Sequence, residues 1–176
     1  MGITEEQLAR ALFRDFSKDE PYGTNDKHQA HLLDQYKLYV EMADRVSARR
    51  LTANNYFLSV NTGLLGLVAY VAKESISFLW VLGIAGIVLC WLWYQSVSSY
   101  RDLNTAKFAI IHAIEKSLPL SPYSAEWLVA GRGKDPKRYF PLTHVEIGVP
   151  FVFMTLHGFV FLRTLPWTTI RSWFCP

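Results

Sequence analysis

Three nearly uncharged apolar stretches interrupt this chain, and lysine and arginine crowd only one side of them. Tyr56–Ala72 reads YFLSVNTGLLGLVAYVA, Ile76–Val97 reads ISFLWVLGIAGIVLCWLWYQSV and Ile147–Leu162 reads IGVPFVFMTLHGFVFL. In water such segments aggregate, whereas in a bilayer each satisfies its backbone internally as a helix. What remains of the 176 residues is too short to bury a sizeable aqueous core. Tyr56, Trp91, Trp93, Tyr94 and Trp167 stand near the ends of these runs and suit the headgroup zone, where an apolar ring keeps a polar tip near water.

The spacing of apolar and punctuating residues divides the chain. Residues 1–23 read as an amphipathic helix and linker. Thr4 and Gln7 form a capping box there, and Leu8, Leu12, Phe13 and Phe16 share one face, before the turn-rich SKDEPYGTND. This N-terminus has no apolar core or cleavage site, and Glu6 stands where a myristoylation signal needs Ser or Thr. The first span is therefore expected to act as its own insertion signal.

Residues 24–176 read as the membrane domain. A cytoplasmic helix over 24–55 runs without Gly or Pro into a first span at 56–72. Its stripe is Leu32, Tyr36, Tyr39, Ala43, Val46 and Arg50, and continuity makes a rod of about 65 Å. A tight hairpin around Lys73–Ser75 leads to a second span at 76–97. A cytoplasmic helix and loop over 99–142 follows. Its face of Leu103, Ala106, Ile110, Ile114 and Leu118 is expected to pack on the rod and to end at Pro119 and Pro122. A third span covers 147–165, with Pro150 near its start, and 166–176 form the tail.

Basic residues set the orientation. Lys37, Arg45, Arg49 and Arg50 precede span one, and Arg101, Lys107, Lys116, Arg132, Lys134, Lys137 and Arg138 lie between spans two and three. The hairpin carries only Lys73, offset by Glu74. The N-terminus and long middle loop are thus expected in the cytoplasm, with Arg163 and Arg171 opposing this mildly. The short third segment, which carries His157, also admits an interfacial or re-entrant reading.

Catalysis finds little support in these residues. His144 and His157 are about 20 Å apart on one continuous helix and cannot share a metal within a subunit. Gly131-Arg132-Gly133-Lys134 lacks the spacing of a phosphate loop and reads as a solvated segment whose basic groups suit anionic lipid headgroups. Cys90 and Cys175 form no recognisable framework. The formal net charge of +3 implies no nucleic-acid partner. No enzyme activity, cofactor or metal is expected.

The sharper signal is polar: Ser59, Asn61 and Thr62 lie inside span one, with Asn54 and Asn55 at its mouth. Polar groups in lipid face other helices or a water path. Ser59, Gly63 and Gly66 form a small strip, and Gly83 and Gly86 offer the same in span two. Arg45, Arg49, Arg50 and Glu146 are candidates for a cytoplasmic entrance or for headgroup contacts. Glu146 also suits the dipole at the start of span three.

The stretches YKLYVEMADRVSARRLTANNYFLSVNTGLL and SYRDLNTAKFAIIHAIEKSLPLSPYSAEW, with RYFPLTHVEIGVP, resemble the RipA family of octameric bacterial membrane proteins. The resemblance covers about Leu32 to Phe153 and implies a bacterial inner-membrane homo-octamer, without assigned enzymatic residues. A looser similarity is to SLATT-type proteins, small membrane proteins with paired spans and a cytosolic helix that are proposed to form pores. The long helix, tight hairpin and following cytosolic helix carry that similarity.

The sequence thus predicts an all-α integral membrane protein. Three transmembrane helices carry long cytoplasmic helical extensions and assemble as a ring-shaped homo-oligomer. Its partners are membrane lipids and further copies of itself. Two functions compete: a channel with span one near the axis and Asn61 and Thr62 turned toward it, or a non-conducting scaffold whose cytoplasmic helices hold a partner protein.

Overall fold

The computed structural model describes residues 4–14, 26–74, 78–133 and 142–167. Every element of regular structure among them is helical: α1 (Glu5–Leu12), α2 (Asp26–Val71), α3 (Leu79–Glu115), α4 (Pro122–Val129) and α5 (Leu142–Thr164). Short 3-10 turns occupy Ala72–Glu74 and Gly131–Gly133. The linker 15–25, hairpin residue Ser75, Lys134, Lys137 and Arg138, the side chain of His144, and the tail with Arg171 and Cys175 lie outside the described residues.

By packing, the chain divides into a first unit, residues 1–48 with 100–141, and a second unit, residues 49–99 with 142–176. Helices α2 and α3 each contribute to both.

In the first unit, α1 opens on the Thr4–Gln7 capping box, with reciprocal bonds of 3.0 and 3.3 Å. Glu5 of α1 meets Lys116 at 2.8 Å on the surface. The α2 segment turns Tyr36, Tyr39, Ala43 and Val46 inward, along the expected stripe. The α3 segment departs from expectation. Its buried positions are Lys107, Ile111, Ile114 and Glu115, while Leu103 and Ala106 are exposed. The inward face carries a lysine and a glutamate, so apolar spacing alone points to a neighbouring face. Pro122 also does not merely end a helix. It starts α4 from the first turn, where its missing N–H costs nothing.

In the second unit, three helical segments form a bundle. The α3–α5 partners run in opposite directions: Gly83 with Phe161, Gly86 with His157, Trp93 with Phe153 and Tyr94 with Phe151. The α2–α5 partners run in the same direction: Arg50 with Glu146 and Asn61 with His157, both pairs 96 residues apart in sequence. Phe57 stacks on Trp93 at 6.1 Å, joining α2 to α3. Gly83 and Gly86 allow the close α3–α5 approach. A Cβ on Gly83 would stand 2.9 Å from the Phe161 backbone, and one on Gly86 would enter the His157 ring. α5 begins at Leu142, earlier than its apolar run, so Pro150 is interior and buried.

Among the described residues, α3 and Val145–Thr164 of α5 are long and apolar enough to cross a membrane. The apolar end of α2 falls short of the same mark because Asn54, Asn55, Ser59, Asn61 and Thr62 dilute it.

Gly86→Ala should lower the thermal stability of the detergent-solubilised protein by about 1–3 kcal/mol through overpacking. Gly66→Ala, where a Cβ meets nothing of its own chain, should leave the isolated subunit's secondary structure and stability unchanged. Circular dichroism melts distinguish the two.

Candidate functional site

The second unit is organised around one amide. Asn61 is fully buried on α2. Its Nδ2 donates to the Phe57 carbonyl at 2.8 Å, which uses the carbonyl one turn back and fixes the amide's orientation. Its Oδ1 then accepts from the Cys90 thiol on α3 at 3.2 Å and lies 3.2 Å from Nε2 of His157 on α5. An oxygen in that position requires the proton on Nε2, so His157 is the Nε2–H tautomer. Its Nδ1 is buried without a hydrogen-bond partner, with the ring pressed against Gly86. One side chain thus ties three helices together.

Two further polar links lie along the same bundle. Trp93 donates its indole N–H to Asn54 at 2.6 Å. Arg50 and Glu146 pair at 3.5 Å, with side chains 19% and 16% exposed, sheltered enough for the pair to matter more than a surface bridge.

These contacts redistribute the candidate residues. Asn61 turns toward α3 and α5 of its own chain. Ser59 and Thr62 remain exposed. Arg50 and Glu146 pair with each other, from α2 to α5. Arg45 is taken up by Glu41 one turn away, at 2.7 Å, and Arg49 is exposed.

The outward faces differ among the three segments. α3 shows Val81, Ile84, Val88, Trp91 and Leu92, and α5 shows Phe151, Val152, Leu156, Phe159 and Leu162. Such bulky apolar surfaces suit lipid. α2 instead exposes Asn55, Ser59, Thr62, Gly63, Gly66 and Ala69 among its larger residues. A Cβ at Gly63 or Gly66 meets nothing within 4 Å, so nothing in the subunit's own packing requires glycine there.

The first unit holds a second polar node that sequence reasoning missed. Glu115 is buried at the end of α3. Its carboxylate accepts from the backbone N–H of Tyr123 at 2.8 Å and of Ser124 at 3.0 Å, from the Ser124 hydroxyl at 2.7 Å and from the Tyr36 hydroxyl at 3.1 Å. It therefore caps α4 from outside and anchors α2. Burial pushes its pKa up, but the Ser124 hydroxyl, the two backbone N–H groups and Tyr36 outweigh it and hold the carboxyl below its ordinary value. Tyr36 is driven the other way, to about 12, by burial and by its bond to the carboxylate.

His112 Nδ1 lies 3.0 Å from Ser124 Oγ. Because Ser124 gives its proton to Glu115, the histidine donates and the serine is not activated as a nucleophile. Serine, histidine and glutamate here make a cap, not a catalytic triad. The only sequence signal for this node is Ser121-Pro122, a helix start six residues beyond an acidic side chain.

Nearby, Lys107 lies over the Tyr39 ring at 4.6 Å, and Asn104 donates to Ser47 at 3.2 Å.

A family model, the Octameric membrane protein family (8xMP), matches residues 33–166 and so takes in both polar nodes. No curated protein and no solved structure matches the chain.

Two outcomes follow. Asn61→Leu should destabilise the bundle by about 1–2 kcal/mol, since interhelical hydrogen bonds in membranes have this size, and should raise the reactivity of Cys90 toward a membrane-permeant maleimide. For Glu115, the lowered pKa means the stabilisation is present above the unfolded carboxylate value, about 4.3, and is lost as pH falls through the folded value. The wild-type melting temperature should therefore drop on acidification below that value more than that of Glu115→Gln, which should already be lower at pH 7.

Proposed function

From the premise that this chain belongs to the Octameric membrane protein family (8xMP), we propose that it works as a pore-like homo-octamer in a bacterial inner membrane. In this reading each subunit contributes three spans, and the apolar end of α2 is the one nearest the axis. The observation that carries it is the contrast between outward faces. α3 and α5 expose large apolar side chains, whereas α2 exposes Asn55, Ser59, Thr62, Gly63 and Gly66 among larger residues such as Tyr56, Leu58, Leu67 and Tyr70, and lipid offers no partner to that amide and those hydroxyls. The parallel register of α2 with α5, and the opposite course of α3, supports an in–out–in–out path. The excess of lysine and arginine before span one and after span two supports a cytoplasmic N-terminus.

Ser59 rather than Asn61 is then the position that meets the central space. Asn61 is engaged within the subunit, so its substitution acts through the bundle. No enzymatic activity and no cofactor belong to this proposal.

A scaffold is the second reading, and it has its own support. The first unit exposes Leu38, Met42, Leu120, Leu128 and Val129, apolar side chains that a protein partner would cover.

Purified oligomer reconstituted in liposomes should carry ion flux. Ser59→Asp should shift that flux toward cations by several-fold without changing oligomer mass. A stable oligomer that passes no ion across a range of voltage and pH would favour the scaffold instead.

A further inference from the structure

The two ring nitrogens of the fully buried His157 have unequal surroundings. Nε2 gives its proton to Asn61 on α2. Nδ1 is buried with no hydrogen-bond partner, and the ring fills the notch that Gly86 leaves on α3. A neutral imidazole suits this setting, with its one donor engaged and a lone pair left against apolar surface. An imidazolium does not, because both nitrogens are then donors and the Nδ1–H has no acceptor.

The bundle offers no counter-charge either. α2 from Leu51 to Val71 and α3 from Leu79 to Ser99 carry no Asp, Glu, Lys or Arg. From α2 the ring meets Asn61, and from α3 it meets Gly86 and shares the Asn61 oxygen with the Cys90 thiol. On α5 itself, His144 and Glu146 stand about 20 and 16 Å away along the axis, and Glu146 pairs with Arg50. Arg163, about 9 Å along the axis in the other direction, is a like charge over the Phe159 ring. A proton taken up by His157 would thus be an uncompensated charge in an apolar bundle, which packing does not tolerate.

We propose that His157 is an acid switch: neutral, it locks α5 against α2 and α3, and once protonated it leaves the Gly86 notch and frees the middle of α5. Histidine is the side chain whose charge ordinarily changes between pH 5 and 8. Proton uptake favours the released state, so the lock is complete at neutral pH and is lost as pH falls. Release also uncovers Cys90, which shares the same oxygen. The switch rests on the packing of one bundle and not on conduction, so it and the flux measurement fail separately.

The test is the protection of Cys90 in the full-length protein, with Cys175→Ser, reconstituted in bilayers. The probe is 4,4′-dithiodipyridine, which reacts with thiols in acid as well as at neutral pH, and each rate is divided by that of the unfolded protein at the same pH. Protection should fall by about tenfold or more between pH 7.5 and 4.5, a range in which Glu115 keeps its charge, while helical content is unchanged. His157→Gln, which has nothing to titrate, should show no such fall. Asn61→Asp, which gives the imidazolium a carboxylate partner, should keep its protection to lower pH than the wild type. Level protection in the wild type across the range, an equal fall in His157→Gln, or an Asn61→Asp variant no less acid-labile would each overturn the switch. If His157→Gln does not fold, nitrogen-15 spectra of the histidine-labelled wild type decide: the state with unprotected Cys90 must hold His157 protonated on both nitrogens, and a neutral ring there contradicts the proposal.

Discussion

The hydrogen bonds of Asn61 decide which surfaces of the second unit are spoken for. A buried amide in an apolar bundle is stabilising only when its donor and acceptor are both engaged, and here a backbone carbonyl, a thiol and an imidazole engage them. That geometry, with Gly83 and Gly86 against α5 and Trp93 between Phe57 and Phe153, sets which faces of α2, α3 and α5 turn inward. Val81, Val88 and Leu92 of α3 and Phe151, Leu156 and Phe159 of α5 then point outward, as do Asn55, Ser59, Thr62, Gly63 and Leu67 of α2, while Asn54 and Asn61 face the bundle. The proposed assembly depends on this division. The inward face of α2 closes the bundle against α3 and α5.

The first unit obeys the same rule with a charge in place of an amide. Glu115 replaces the water it would have had with four donors from α2 and α4. A buried carboxylate without them would shift its pKa upward and neutralise. With them it becomes the anchor of a short helix that has little packing of its own, α4 having no buried residue. Each unit therefore joins its helices through a buried polar side chain set beside apolar packing, Trp93 against Phe57 and Phe153 in one unit and Ile111 with Ile114 in the other.

Much of the architecture was legible in the residues. The unbroken α2, the Thr4 cap and the inward stripe of Tyr36, Tyr39 and Ala43 follow from local spacing, because each involves neighbours on one helix. Asn61 was conspicuous for the same reason, as an amide in an apolar run. Its role was not legible, since its partners are 29 and 96 residues away in sequence. His157, read beside His144 for metal chemistry, instead belongs with Asn61. The inward face of α3 was misread where Lys107 and Glu115 occupy it, because a periodicity of apolar residues cannot register buried charge. Arg50 and Glu146 were each singled out, but only the parallel register of α2 and α5 makes them a pair.

The most direct test of this division of surfaces is a nitroxide scan of the protein reconstituted in bilayers. It would read oxygen accessibility along positions 54–71 of α2 and at exposed positions of α3 and α5. The account predicts lipid-level accessibility at Val88 and Phe159, and low values at every α2 position, including Ser59, Thr62 and Gly63. A clear helical oscillation on α2 with lipid-level maxima at Ser59 and Gly63 would mean that this face is solvated by acyl chains. The inner position of α2 would then be wrong.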